Sequence, residues 1–127
     1  MKLISLTGGE TVSDGRLMQS MLLDFYGELL TDKQRECYDL HVNEDLSLSE
    51  IAEQAGISRQ GVWDNIRRAE SSLRDMEEKT GLIRRFRQIR QGLESLRAPL
   101  KELEALSGGR ALDLTREMQE TVDKLLN

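Results

Sequence analysis

Residues 46–70, LSLSEIAEQAGISRQGVWDNIRRAE, constrain the fold more than any other part of the chain, because they hold two helix starts separated by one tight turn. Ser47 followed three residues later by Glu50 has the spacing of a capping box, in which each side chain satisfies an orphan backbone donor. Ser58 is a second N-cap candidate ahead of a longer helix. Between them Gly56 stands where a short helix must stop and reverse, and glycine enters the left-handed region without steric cost. Ile51, Ala55, Ile57, Val62 and Ile66 then face one another across the turn. This is the pattern of a helix-turn-helix.

A single Pro and the absence of strand-like alternation rich in Val, Ile and Thr point to an all-α fold. Residues 1–15 are expected to form a mobile leader or a non-native extension, with Met18 or Met21 as alternative natural starts. A first helix over about residues 16–30 places Leu17, Met21, Phe25 and Leu29 at four-residue steps, widened by Met18, Leu22 and Tyr26. Thr31 caps a second helix on which Cys37, Leu40 and His41 share a side. The third helix covers residues 48–55, and the fourth repeats Val62, Ile66, Ala69, Leu73 and Met76 until Gly81 interrupts it. A helix-turn-helix domain over residues 16–81 is the expectation.

Residues 82–127 read as a kinked helical arm. Leu82, Phe86, Ile89, Leu93, Leu96, Leu100 and Leu103 repeat at heptad spacing and need a partner surface. Pro99 removes a backbone donor and crowds the preceding turn, so a kink is expected near residues 96–98. After Gly108 and Gly109 a last helix, roughly residues 112–126, carries Leu114, Met118, Val122 and Leu125 on the side expected to be covered. Two arrangements hide the arm. It pairs with a second subunit through Leu82, Phe86, Ile89, Leu93 and Leu96, making a homodimer, or the last helix folds back over it.

Composition excludes several functions. At 127 residues, 38% hydrophobic and 32% charged, the chain is too polar to live in a membrane, and its most apolar stretch is broken by Asp24 and Glu28. Leu3 to Leu6 is too short for the apolar region of a signal peptide, and the lone Cys37 permits no intrachain disulfide; both favour the cytoplasm. One His, one Cys, no phosphate-binding glycine loop and no nucleophilic triad leave no catalytic or cofactor-binding candidate. Cys37 and His41 fall four apart on a helix, but two ligands are too few for a structural zinc site. The chain reads as a non-enzyme without metal or cofactor.

Two surfaces are candidates for binding. On the second helix of the motif Arg59 and Gln60 point outward, followed by Trp63, Asp64 and Arg67. Arg59 has the donors to pair with guanine, and Gln60 has the donor and acceptor to pair with adenine. Trp63 reads first as a packing anchor for a neighbouring helix or subunit, and second as a base contact. Charge opposes the DNA reading: residues 47–70 carry a net charge of −1 and residues 28–53 a net of −6. Cations gather instead on the arm, where Arg84, Arg85, Arg87, Arg90 and Arg97 face only Glu94, a net of +4. Such a stripe suits RNA, a DNA backbone or an acidic protein face, or else is the solvated flank of a coiled arm.

The run LTDKQRECYDLHVNEDLSLSEIAEQAGISRQGV resembles region 4 of bacterial sigma factors. More of the chain, through DFYGELLTDKQR, NEDLSLSEIAEQ, GISRQGVWDNIRRAE and MEEKTGL, resembles the YlxM family, small bacterial proteins whose genes lie beside those of the signal recognition particle GTPases. The resemblance implies a sigma region-4-like helix-turn-helix and a regulatory role in the signal recognition particle pathway, with the particle GTPase or the particle RNA as partner. The alternative is a sequence-specific, DNA-binding transcription regulator.

Overall fold

The structure, a computed structural model, describes residues 14–127. Residues 1–13, most of the expected leader, lie outside the described residues. The described chain is all helical: α1 Asp14–Tyr26, a 3-10 turn Gly27–Leu29, α2 Asp32–Val42, α3 Leu48–Ala55, α4 Arg59–Thr80, α5 Leu82–Ser95, α6 Arg97–Leu106 and α7 Gly109–Leu126. It divides into two compact units, one ending at Ile83 and the other Arg84–Asn127.

In the first unit, α4 packs against α1, α2 and α3. The long helix is the spine because Val62, Ile66, Ala69 and Leu73 form one unbroken buried stripe, met by Met21, Leu22 and Tyr26 of α1, Cys37, Tyr38 and Val42 of α2, and Ile51 of α3. Burying each large aliphatic side chain of this kind contributes about 1.5–3 kcal/mol. Ile83, fully buried, closes the unit, and its N–H donates to Glu77 Oε1 at 2.9 Å. That carboxylate also accepts from the Tyr26 hydroxyl at 2.6 Å.

Two expectations for α1 change. Asp14 and Gly15, placed in the leader by sequence, are its first residues. The helix stops at Tyr26 and tightens into the 3-10 turn, which turns Leu29 out to solvent instead of continuing the expected stripe; Leu23 is buried in its place. A four-residue step only holds a face while the helix keeps 3.6 residues per turn, and the tighter turn breaks that phase.

The second unit is an antiparallel helical hairpin. α6 packs on α7, and Arg97 at the start of α6 reaches Asp123 near the end of α7 at 3.5 Å. Leu100, Val122 and Leu126 form its core, with Leu93 packed against them. Where the kink was expected, the helix is interrupted at Leu96, between α5 and α6, with Leu96 N–H bonded to the Leu93 carbonyl at 3.1 Å; Pro99 sits in the first turn of α6 and needs no helical donor there. The last helix begins at Gly109, earlier than expected, and buries a face that shares only Val122 with the expected one. Thr115, Val122 and Leu126 turn inward, whereas Leu114, Met118 and Leu125 are exposed. The expected set ran diagonally across two separate apolar stripes, and periodicity alone does not say which stripe meets the neighbour.

Candidate nucleic-acid interface

The recognition element is built from local chemistry. Ser47 and Glu50 make the full capping box at the start of α3: Glu50 N–H donates to Ser47 Oγ at 3.1 Å and Ser47 N–H to Glu50 Oε1 at 3.3 Å. At the other end Gly56 adopts φ 71°, and its N–H and that of Ile57 both donate to the Ala52 carbonyl. Lys33 Nζ, reaching over from α2, donates to the Ala55 carbonyl at 3.0 Å. This satisfies an orphan acceptor with a cation at the negative end of the helix, and ties α2 to the turn. Ser58 then opens α4 by accepting from Gly61 N–H at 3.0 Å.

The first turns of α4 therefore leave the turn at a set angle, with Ile51 and Val62 fully buried behind them. Arg59, Gln60 and Arg67 are exposed, and Trp63 keeps 43% of its surface accessible. Arg68 is exposed beside them and extends the same face; it was legible from sequence as the residue following Arg67 on the side away from Ile66 and Ala69. Asp64, half-buried, accepts from Gln60 Nε2 at 3.2 Å. The amide expected to read a base is thus engaged along its own helix, with a carboxylate inside the face.

α4 is held to α2 by a buried polar contact that sequence reading missed. The Tyr38 hydroxyl, on a fully buried residue, hydrogen-bonds the Glu70 carboxylate, which also pairs with Arg74. Burial first, and then the bond to Glu70, raise the pKa of this phenol above its ordinary value. Nothing in the spacing of Tyr38 and Glu70, 32 residues apart, could have announced the pair.

On the second candidate surface, Arg84 and Arg85 are exposed and Arg87 and Arg90 half-buried. Arg97 is drawn off by Glu94 and Asp123, each at 3.5 Å. Of the five apolar residues expected at a dimer interface, Leu82, Ile89 and Leu96 are exposed, Phe86 is half-buried, and Leu93 joins the hairpin core. Cys37 is fully buried, with burial pushing its thiol pKa up, and His41 is half-buried. Among the described residues no group of three or more His, Cys, Asp or Glu is placed to hold a metal ion, and no helix is long and apolar enough to cross a membrane.

Comparison with known proteins decides the lineage. Residues 13–108 match the model of the family UPF0122, described as "Putative helix-turn-helix protein, YlxM / p13 like". The chain belongs to this family. A UPF0122 protein of Thermoanaerobacter sp. (strain X514) is 49% identical over 86 residues, covering 68% of this chain and 74% of the relative. One from Shouchella clausii (strain KSM-K16) is 38% identical over 112 residues, 88% of this chain and 97% of the relative. A third, from Listeria innocua serovar 6a, is 37% identical over 108 residues, 85% and 91% of the two chains. The expected YlxM resemblance thus holds, and the helix-turn-helix it implied is present with both caps formed. A family of this description points to nucleic-acid binding.

Proposed function

We propose that this protein is a non-enzymatic, cytoplasmic regulator of the signal recognition particle pathway that binds the RNA of the particle through the basic face of α5. The observation that carries the reading is the contrast in charge between the two candidate surfaces. Arg84, Arg85, Arg87 and Arg90 crowd two turns of helix with no carboxylate before Glu94. The helix-turn-helix face has Asp64 in its midst and a net charge of −1 over residues 47–70, so it brings little phosphate neutralisation of its own. On this reading the helix-turn-helix is first a scaffold, with Arg59, Gln60, Trp63 and Arg67 adding a secondary contact to RNA or to the particle GTPase. The pathway itself comes from the family resemblance, and the polyanion from the arginines.

One feature favours the second reading, sequence-specific DNA binding: the exposed Arg59, Trp63, Arg67 and Arg68 on the first turns of α4 are where a recognition helix presents its contacts. Binding of the purified chain to particle RNA, operon DNA and particle GTPase across a salt series separates the two. Replacing Arg84, Arg85, Arg87 and Arg90 by Gln should lower RNA affinity and flatten the log–log salt dependence by about three units, at roughly one unit per phosphate contact. If Arg59→Ala with Arg67→Ala abolishes binding to operon DNA while the arm variant binds as the parent does, the RNA reading is wrong and the helix-turn-helix reads DNA directly.

A further inference from the structure

The hairpin of the second unit exposes more large apolar side chains than it buries, and they are in order. Along α5 and α6, Ile89, Gly92, Leu96, Pro99, Leu103 and Leu106 follow one another at alternating three- and four-residue steps, all exposed and none charged. Along α7, Ala111, Leu114, Met118, Thr121 and Leu125 do the same. The Leu, Ile and Met members keep 42 to 79% of their surface accessible. Each helix therefore carries two seams: an inner one, through Leu93 and Leu100 on one side and Thr115, Val122 and Leu126 on the other, and this outer one.

Geometry puts both outer seams on the same side. At 3.6 residues per turn, the outer seam of α5–α6 lies roughly 90° round from its inner seam, and that of α7 roughly 100° round, in the same rotational sense. In an antiparallel pair, equal senses of rotation bring both seams to one broad face of the hairpin. The phase shifts by only roughly 20° across the break between α5 and α6, because the one tighter step, Leu96 N–H to the Leu93 carbonyl at 3.1 Å, is followed by a helical bond from Leu100 N–H to the Leu96 carbonyl at 3.1 Å, with Leu96 in the right-handed helical region.

We propose that this face binds the same face of a second copy of the chain, so that two hairpins close into a four-helix bundle. The area fits: complete coverage of the exposed parts of these seven Leu, Ile and Met residues would remove about 700 Å² per copy from water, against the ~800 Å² each partner contributes to a standard stable interface. The pattern fits too. Alternating three- and four-residue steps are those of knobs-into-holes packing, and Gly92 and Pro99 leave hollows between Ile89, Leu96 and Leu103 for the knobs of the partner. Charge on the rim suits self-pairing. By helical phase Glu102 on one helix and Arg110, Glu117 and Lys124 on the other flank the face with both signs, which an isologous contact can pair and a partner of single charge cannot. By the same phase Arg85 continues this seam, four residues before Ile89, whereas Arg84, Arg87 and Arg90 fall outside it, so dimerisation would leave three of the four basic residues of each copy off the interface. The interface does not depend on the proposed RNA binding and is tested apart from it.

Sedimentation of the full chain at micromolar concentration should give twice the monomer mass of 14.5 kDa. Leu103→Gln combined with Met118→Gln replaces side chains that are exposed in the single chain, and should raise the dimer dissociation constant by on the order of a hundredfold or more. Leu29→Gln, at an exposed leucine of the first unit, should leave the dimer intact. Because the seam variant could also loosen the hairpin, a cross-linking thiol at Ser95→Cys in the otherwise unaltered chain provides a second reading, and it should join two copies into one covalent dimer; the native Cys37 is buried. A chain that sediments as a monomer and gives no cross-link overturns the proposal and leaves the face to a different protein. Dimers undisturbed by the seam substitutions, or dissociated by Leu29→Gln, overturn it as well.

Discussion

The turn of the helix-turn-helix rests on the backbone of one residue, and replacing Gly56 isolates that contribution. Gly56 lies at φ 71°, and a methyl group added there would meet no atom within 4 Å. The cost of Gly56→Ala is therefore conformational and not steric: about 1–2 kcal/mol for holding an L-residue in the left-handed region, offset by less than 1 kcal/mol from the reduced freedom of the unfolded chain. A net loss on the order of 1 kcal/mol follows. Gly56→Asn should cost less, because asparagine tolerates this region better. Trp63 is the only tryptophan and sits on α4, so its fluorescence during urea unfolding reports the helix-turn-helix unit. With a slope of about 1–3 kcal/mol per molar urea, the midpoint for Gly56→Ala should fall by about 0.5 M with the slope unchanged. Equal losses for Ala and Asn would refute the conformational argument, and so would no loss for Ala.

Two further outcomes follow from the buried polar contacts and the caps. Tyr38→Phe should destabilise the first unit by about 1–3 kcal/mol, because it removes a hydrogen bond to the charged Glu70. The sign with pH is set by the raised pKa of the phenol: the folded state holds this proton more tightly than the unfolded chain, so its stabilisation is complete below the ordinary value of 10.0 and is lost as pH rises beyond it. Alkaline titration followed by circular dichroism should thus show the wild type losing stability more steeply above pH 10 than Tyr38→Phe does. Ser47→Ala should cost about 1 kcal/mol by uncapping α3, measured by the same urea unfolding, and Glu50→Ala should cost part of that by opening the other half of the box.

Much of the site was legible beforehand because its determinants are local. Ser47 with Glu50, Ser58, Gly56 and Gly81 act on backbone groups within a few residues of themselves, so α3 came out at its expected bounds and α4 between its expected cap and its glycine stop. The exposed Arg59, Gln60 and Trp63 follow from the same register. The contacts that orient α4 did not show, since Tyr38 to Glu70 and Lys33 to the Ala55 carbonyl join residues 32 and 22 positions apart. The Gln60 to Asp64 bond was within reach of the sequence, being a four-residue step on one helix face, and it changes the reading of Gln60 from a free base reader to a residue occupied by its neighbour.

By itself, then, the sequence determined the all-helical class, the caps, the left-handed turns and the family. Tertiary structure decided which face each helix spends on its own core. Leu29 goes to solvent once α1 tightens, and α7 turns Thr115, Val122 and Leu126 inward while leaving Leu114, Met118 and Leu125 outside. The physical reason is that capping and left-handed turns are properties of a short stretch of chain. A helix with two apolar stripes, however, carries two equally hydrophobic answers, and only the position of the neighbouring helix selects the one that leaves water.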